Sequence, residues 1–79
     1  MMIKIYSKGF GLSEFYFTRI YSVNGIRYHI SVLNPSTMSH HFTMEKNCNA
    51  WKFTNRELLP QWILTQEETL SEEINRMEG

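Results

Sequence analysis

The chain has 79 residues, 42% hydrophobic and 14% aromatic, with eight basic and eight acidic side chains and a formal net charge of zero. That length predicts one domain, residues 1–79, with a small core, and that composition excludes a disordered chain. Cys48 is the only cysteine, so an intramolecular disulfide is excluded, and no apolar run approaches the ~20 residues of a membrane span.

Ile3 and Ile5 alternate with Lys4 and Tyr6, the period of a half-buried strand. Lys8, Gly9, Phe10 and Gly11 interrupt it as a loop or bulge. Residues 14–23 and 26–33 are β-rich and joined by Asn24-Gly25, the pair favoured in a type I′ hairpin turn. With those two residues as the loop, Val23 faces Ile26, Tyr21 faces Tyr28, Arg19 faces Ile30 and Phe17 faces Val32. One face then carries Phe15, Phe17, Tyr21, Val23, Ile26, Tyr28, Ile30 and Val32, interrupted only by Arg19. The other carries Tyr16, Thr18, Ile20, Ser22, Arg27, His29 and Ser31. A one-residue slip would exchange the two faces, so burial of the first is expected to lock this register.

Asn34-Pro35-Ser36-Thr37 ends the hairpin, because proline cannot continue a ladder there. Residues 40–45 read as a further long strand with Phe42 and Met44 together. Residues 46–49 read as a turn, and residues 50–54 as a short strand with Trp51 and Phe53 together. Thr54 and Glu57 have the spacing of a capping box, and Pro60 is tolerated in a first helical turn. A helix is expected from about Leu59–Pro60, with Trp62, Ile63, Leu70, Ile74 and Met77 on one stripe.

The expected fold is α+β: a three- to four-stranded antiparallel meander sheet with a C-terminal amphipathic helix packed on one face. Strands occupy the region 1–54 and helix the region 55–78. The expected core is Phe15, Phe17, Tyr21, Ile30, Val32, Phe42, Trp62, Ile63, Leu70 and Ile74.

Charge divides at the same boundary. Residues 1–56 hold seven Lys/Arg against Glu14 and Glu45, a net of +5; residues 57–79 hold Arg76 against six Glu, a net of −5. Every acidic residue is glutamate, so chemistry that requires aspartate is excluded. His29, His40, His41 and Cys48 are the only imidazole or thiol ligands, and they lack zinc-site spacing. His40 and His41 are adjacent, so in a strand they point to opposite faces. Cys48 with His40 or His41 is the one candidate nucleophile–base pair, without a flanking signature. Gly9-x-Gly11 lacks the Lys-Ser/Thr of a phosphate loop. Glu67-Glu68 and Glu72-Glu73 read as a solvated helix face. No catalytic residue, cofactor, metal or small-molecule substrate is expected.

Two readings remain. In the first, the chain is a non-enzymatic interaction module that meets a protein partner or a second copy of itself. Open sheet edges invite strand pairing, and Tyr16, Ile20, Leu33 and Trp51 are the candidate interface residues. In the second, Lys4, Tyr16, Arg27, His29 and Lys52 form a basic, aromatic sheet face that binds nucleic acid. Three strands followed by a helix resemble, in element order alone, the β-sheet DNA readers of some integrase arm-binding and plant transcription-factor domains. No membrane contact is expected, and the expected compartment is the cytoplasm.

Overall fold

Alternating burial organises the chain into β1 (Met2–Ser7), β2 (Gly11–Ser22), β3 (Gly25–Leu33), β4 (His40–Asn47) and β5 (Ala50–Phe53). The structure, a computed structural model, describes residues 1–7, 9, 11–23, 25–34 and 39–79, the side chain of Ser22 excepted. The expected loop residues Lys8 and Phe10, the turn residue Asn24 and the terminators Pro35, Ser36 and Thr37 lie outside the described residues. The strands form one antiparallel sheet in the order β1-β2-β3-β4-β5, curled into a half-barrel. The strand count is therefore five, not three to four. β1 pairs along its whole length with the first half of β2, from Met2 opposite Tyr16 to Ser7 opposite Gly11. Gly11 thus opens a strand, where the sequence suggested a loop.

In the central hairpin Ser22 pairs with Gly25, and Val23 lies in the turn beyond that pair. Gly25 has φ +119°, a conformation that favours glycine. The register is offset by two residues from an Asn24-Gly25 turn: Tyr21 faces Ile26, Arg19 faces Tyr28, Phe17 faces Ile30 and Phe15 faces Val32. An even offset preserves side-chain parity, so Phe15, Phe17, Tyr28, Ile30 and Val32 keep their expected inner face. Val23, expected on the core face, is instead fully exposed in the loop.

The chain then makes a 3₁₀ turn at Arg56–Leu58, a short helix α1 (Gln61–Leu64) and a longer helix α2 (Glu67–Glu78). The capping box does not form. Thr54 Oγ1 lies 2.6 Å from Thr43 Oγ1, binding it to β4, and Asn55 precedes the 3₁₀ turn without a side-chain cap. Pro60 caps α1, where its missing N–H costs nothing. The expected single helix is broken at Thr65–Gln66, where Gln66 N–H donates to Ile63 O at 2.9 Å. Ile63 and Leu70, one on each helix, are both fully buried in the core.

The core lies between the inner sheet face and the helices. It contains Phe15, Phe17, Tyr28, Ile30, Val32, Phe42, Met44, Trp51, Phe53, Ile63, Leu70 and Ile74. Two expected core residues differ. Tyr21 is 72% exposed, because it sits at the hairpin end with Arg19 over its ring. Trp62 is half-buried at the rim, edge-on to His40. No helix among the described residues is long and apolar enough to cross a membrane.

Candidate functional site

The two edges of the sheet differ in what covers them. At the β5 edge, alternate main-chain amides point away from β4 and towards α2. Trp51 N–H donates to Ser71 Oγ at 2.8 Å, and Phe53 N–H donates to Glu67 Oε2 at 2.9 Å. The Trp51 indole N–H donates to Asn75 Oδ1 at 3.1 Å, and Asn75 Nδ2 donates to Asn49 O at 3.2 Å. Side chains of α2 thus occupy the donors on which another strand would pair.

The β1 edge has no such cover among the described residues. Phe17 N–H donates to Met1 O at 2.8 Å, which sets the alternation of the β1–β2 ladder. Ile3, Ile5 and Ser7 therefore face β2 with their main-chain groups, while those of Met2, Lys4 and Tyr6 point outward.

The outer face adjoining this edge is apolar. Met2 lies opposite Tyr16, Lys4 opposite Glu14 and Tyr6 opposite Leu12, while Leu33 pairs with Glu14 from the other side. Lys4 and Glu14 are thereby framed by Met2, Tyr6, Leu12, Tyr16 and Leu33, all exposed. Tyr16, Ile20 and Leu33, the expected interface residues, are between 38% and 44% exposed. Tyr16 donates its hydroxyl to Glu14 at 2.8 Å. A hollow of about 380 Å³ opens beside this patch, lined by Leu12, Glu14, Leu33, Asn34 and Ser39. Trp51 does not belong to the surface: it is 2% exposed on the inner face, edge-to-face with Tyr28 at 5.2 Å. Its indole is buried because Asn75 supplies the acceptor. Sequence reasoning missed Met2, Tyr6 and Leu12, whose shared face becomes visible only once β1 is paired with β2.

The residues of the nucleic-acid reading, Lys4, Tyr16, Arg27, His29 and Lys52, all reach the outer face. Their charges are locally answered. Arg27 lies 3.4 Å from Glu45 and Lys52 lies 3.9 Å from Glu67, and Lys4 stands opposite Glu14. The split between basic strands and acidic helix is likewise joined within the chain. Arg56 meets Glu67 at 2.5 Å, and Arg19 meets Glu78 at 3.0 Å.

These contacts tune two carboxylates. Burial pushes the Glu67 carboxyl up, but the Phe53 amide, Arg56 and Lys52 together hold it below the usual carboxylate range. The Tyr28 hydroxyl, opposed by desolvation and helped by Arg19, holds Glu78 below that range too. Tyr28 itself is pushed up to about 12, by burial and then by its hydrogen bond to Glu78.

The other candidate groups are dispersed. His29 and His41 stack on the outer face, 5.6 Å apart, and His41 Nδ1 lies 3.1 Å from Ser31 Oγ. His40 points inward to Trp62. Cys48 sits in the β4–β5 turn at φ +59°. An extended strand rises ~3.3 Å per residue, so Cys48 lies roughly 23 Å along the chain from His41. Among the described residues no group of three His, Cys, Asp or Glu is placed to hold a metal ion. No protein-family model, curated protein or solved structure matches the chain.

Proposed function

We propose that the chain is a small non-enzymatic interaction module that works by protein–protein contact through the β1 edge and the apolar outer face beside it. The asymmetry of the edges carries this reading. α2 occupies the outward amides of β5, whereas Met2, Lys4 and Tyr6 present theirs beside a patch of exposed aromatic and aliphatic side chains. Sheet edges bind extended segments through main-chain hydrogen bonds, and flanking apolar side chains add affinity and selectivity. The dispersal of Cys48, His40 and His41 supports a non-enzymatic role.

A photo-crosslinking residue at position 16, compared with one at the exposed helix position 72, tests the reading in the producing cell. Polypeptide adducts should form from position 16, be absent from position 72, and be lost with Leu12→Lys. Equal yields from both positions, or none from position 16, would count against it. The alternative, nucleic-acid binding by Lys4, Tyr16, Arg27, His29 and Lys52, is tested by titration with mixed-sequence single- and double-stranded oligonucleotides. Saturable binding that weakens steeply with salt and disappears in Arg27→Glu would replace protein contact with that alternative.

A further inference from the structure

We infer that the partner of the β1 edge is a second copy of this chain, paired antiparallel β1 to β1 about a two-fold axis through Lys4. This rests on the protein-contact reading and names its partner. The outward main-chain groups of β1 belong to Met2, Lys4 and Tyr6, a set symmetric about Lys4. Turning a second β1 about that centre sets Met2 against Tyr6 and Lys4 against Lys4. Each such pair can exchange both N–H···O bonds, and this register uses every outward group of the strand.

The side chains agree with the main chain. On the inner face Ile3 meets Ile5 of the other copy, and both are only partly buried within one chain. On the outer face Met2 meets Tyr6, extending the apolar patch across the axis. The central row would run Glu14, Lys4, Lys4, Glu14, since Glu14 is the cross-strand neighbour of Lys4 in each copy. Its charges balance, but the two lysines lie directly opposite one another and limit affinity. The β5 edge is capped by Ser71 and Glu67, so pairing ends at a closed dimer and does not continue as a filament.

Lys4 can be changed in opposite directions. Its N–H points to solvent in a single chain, so Lys4→Pro leaves the β1–β2 ladder intact; edge strands tolerate proline at such positions. Across the axis the same change removes a donor and places a ring against the partner. Lys4→Thr instead removes the repulsion and keeps the N–H.

Sedimentation equilibrium from about 10 μM to about 1 mM spans the affinities expected of a small interface. The wild-type mass should rise from 9.4 kDa towards twice that value. Lys4→Thr should tighten association roughly two- to fivefold. Lys4→Pro should stay at 9.4 kDa with an unchanged circular-dichroism spectrum. Should Lys4→Pro not fold, Tyr6→Pro carries the same expectation, because the Tyr6 N–H also points outward. A wild-type chain that remains at 9.4 kDa throughout would overturn the self-pairing, while adducts from position 16 would still uphold contact with a different protein. A dimer that survives Lys4→Pro and is lost in Ile20→Glu would also overturn it, placing the contact on the outer face alone.

Discussion

Replacing Ser71 with alanine removes one oxygen from the seam between β5 and α2. That oxygen accepts the Trp51 amide at 2.8 Å, and both residues are buried. The substitution leaves almost no cavity, so packing changes little. The amide loses that acceptor in a place water reaches poorly, at a cost of ~1–3 kcal/mol. Alanine is the better helix former and offsets about 0.5 kcal/mol of this. The net loss is ~1–2 kcal/mol, and since each kcal/mol moves the Tm of a domain this size by ~4–8 °C, the midpoint should fall by ~5–15 °C. Thermal unfolding followed by circular dichroism reads the shift. Urea unfolding should show a lower midpoint at an unchanged slope, as expected when stability changes and exposed surface does not. Ser71→Thr keeps the hydroxyl and should retain most of the stability. A Ser71→Ala midpoint within ~2 °C of wild type would refute the view that α2 closes this edge by accepting its amides.

Glu67→Ala should destabilise by about 2 kcal/mol, because the carboxylate accepts a charge-assisted bond from the Phe53 amide while meeting Arg56. The Glu67 and Glu78 carboxyls are held low in the fold, so their stabilisation is complete above the unfolded carboxylate value and is lost as pH falls through the folded one. Tm measured against pH should therefore drop on the acid side, less steeply in Glu67→Ala; parallel acid limbs would contradict this. Tyr28, held up to about 12, stabilises the fold below the usual tyrosine value of 10.0, and that contribution fades as pH rises from there towards 12. Ultraviolet titration should show a late tyrosinate that disappears in Tyr28→Phe; ionisation of all tyrosines near 10 would count against the Tyr28–Glu78 contact.

Much of the sheet was legible because period-2 alternation is a local property. Phe15 and Phe17, Ile30 and Val32, Phe42 and Met44, and Trp51 and Phe53 each share the inner face as their spacing implies. The hairpin offset was not legible, because shifting by two residues leaves every side chain on the same face, and hydrophobic pattern alone does not separate the two registers. The choice shows up in a distant contact: the observed register sets Arg19 beside Tyr28, where both reach Glu78 at the end of α2. The same contact accounts for an arginine on the core face. Tyr21 lies beyond that point, at the hairpin end, and stays exposed. Trp51 reads as an interface residue from the sequence, whereas its burial depends on Asn75, which lies 24 residues further along the chain. The outer patch was half visible. Tyr16, Ile20 and Leu33 follow from the hairpin, but Met2, Tyr6 and Leu12 need the pairing of β1 with β2 across residues 8–10.

Amide hydrogen exchange, resolved by residue in dilute protein, tests the unequal edges most directly. The amides of Trp51 and Phe53 should exchange slowly even in dilute solution, since α2 accepts them within one chain. Those of Met2, Lys4 and Tyr6 should exchange quickly when dilute and slow as concentration rises, while Ile3 and Ile5 stay protected throughout. Rapid exchange at Trp51 and Phe53, or protection of Lys4 and Tyr6 that does not depend on concentration, would contradict a closed β5 edge and an open β1 edge.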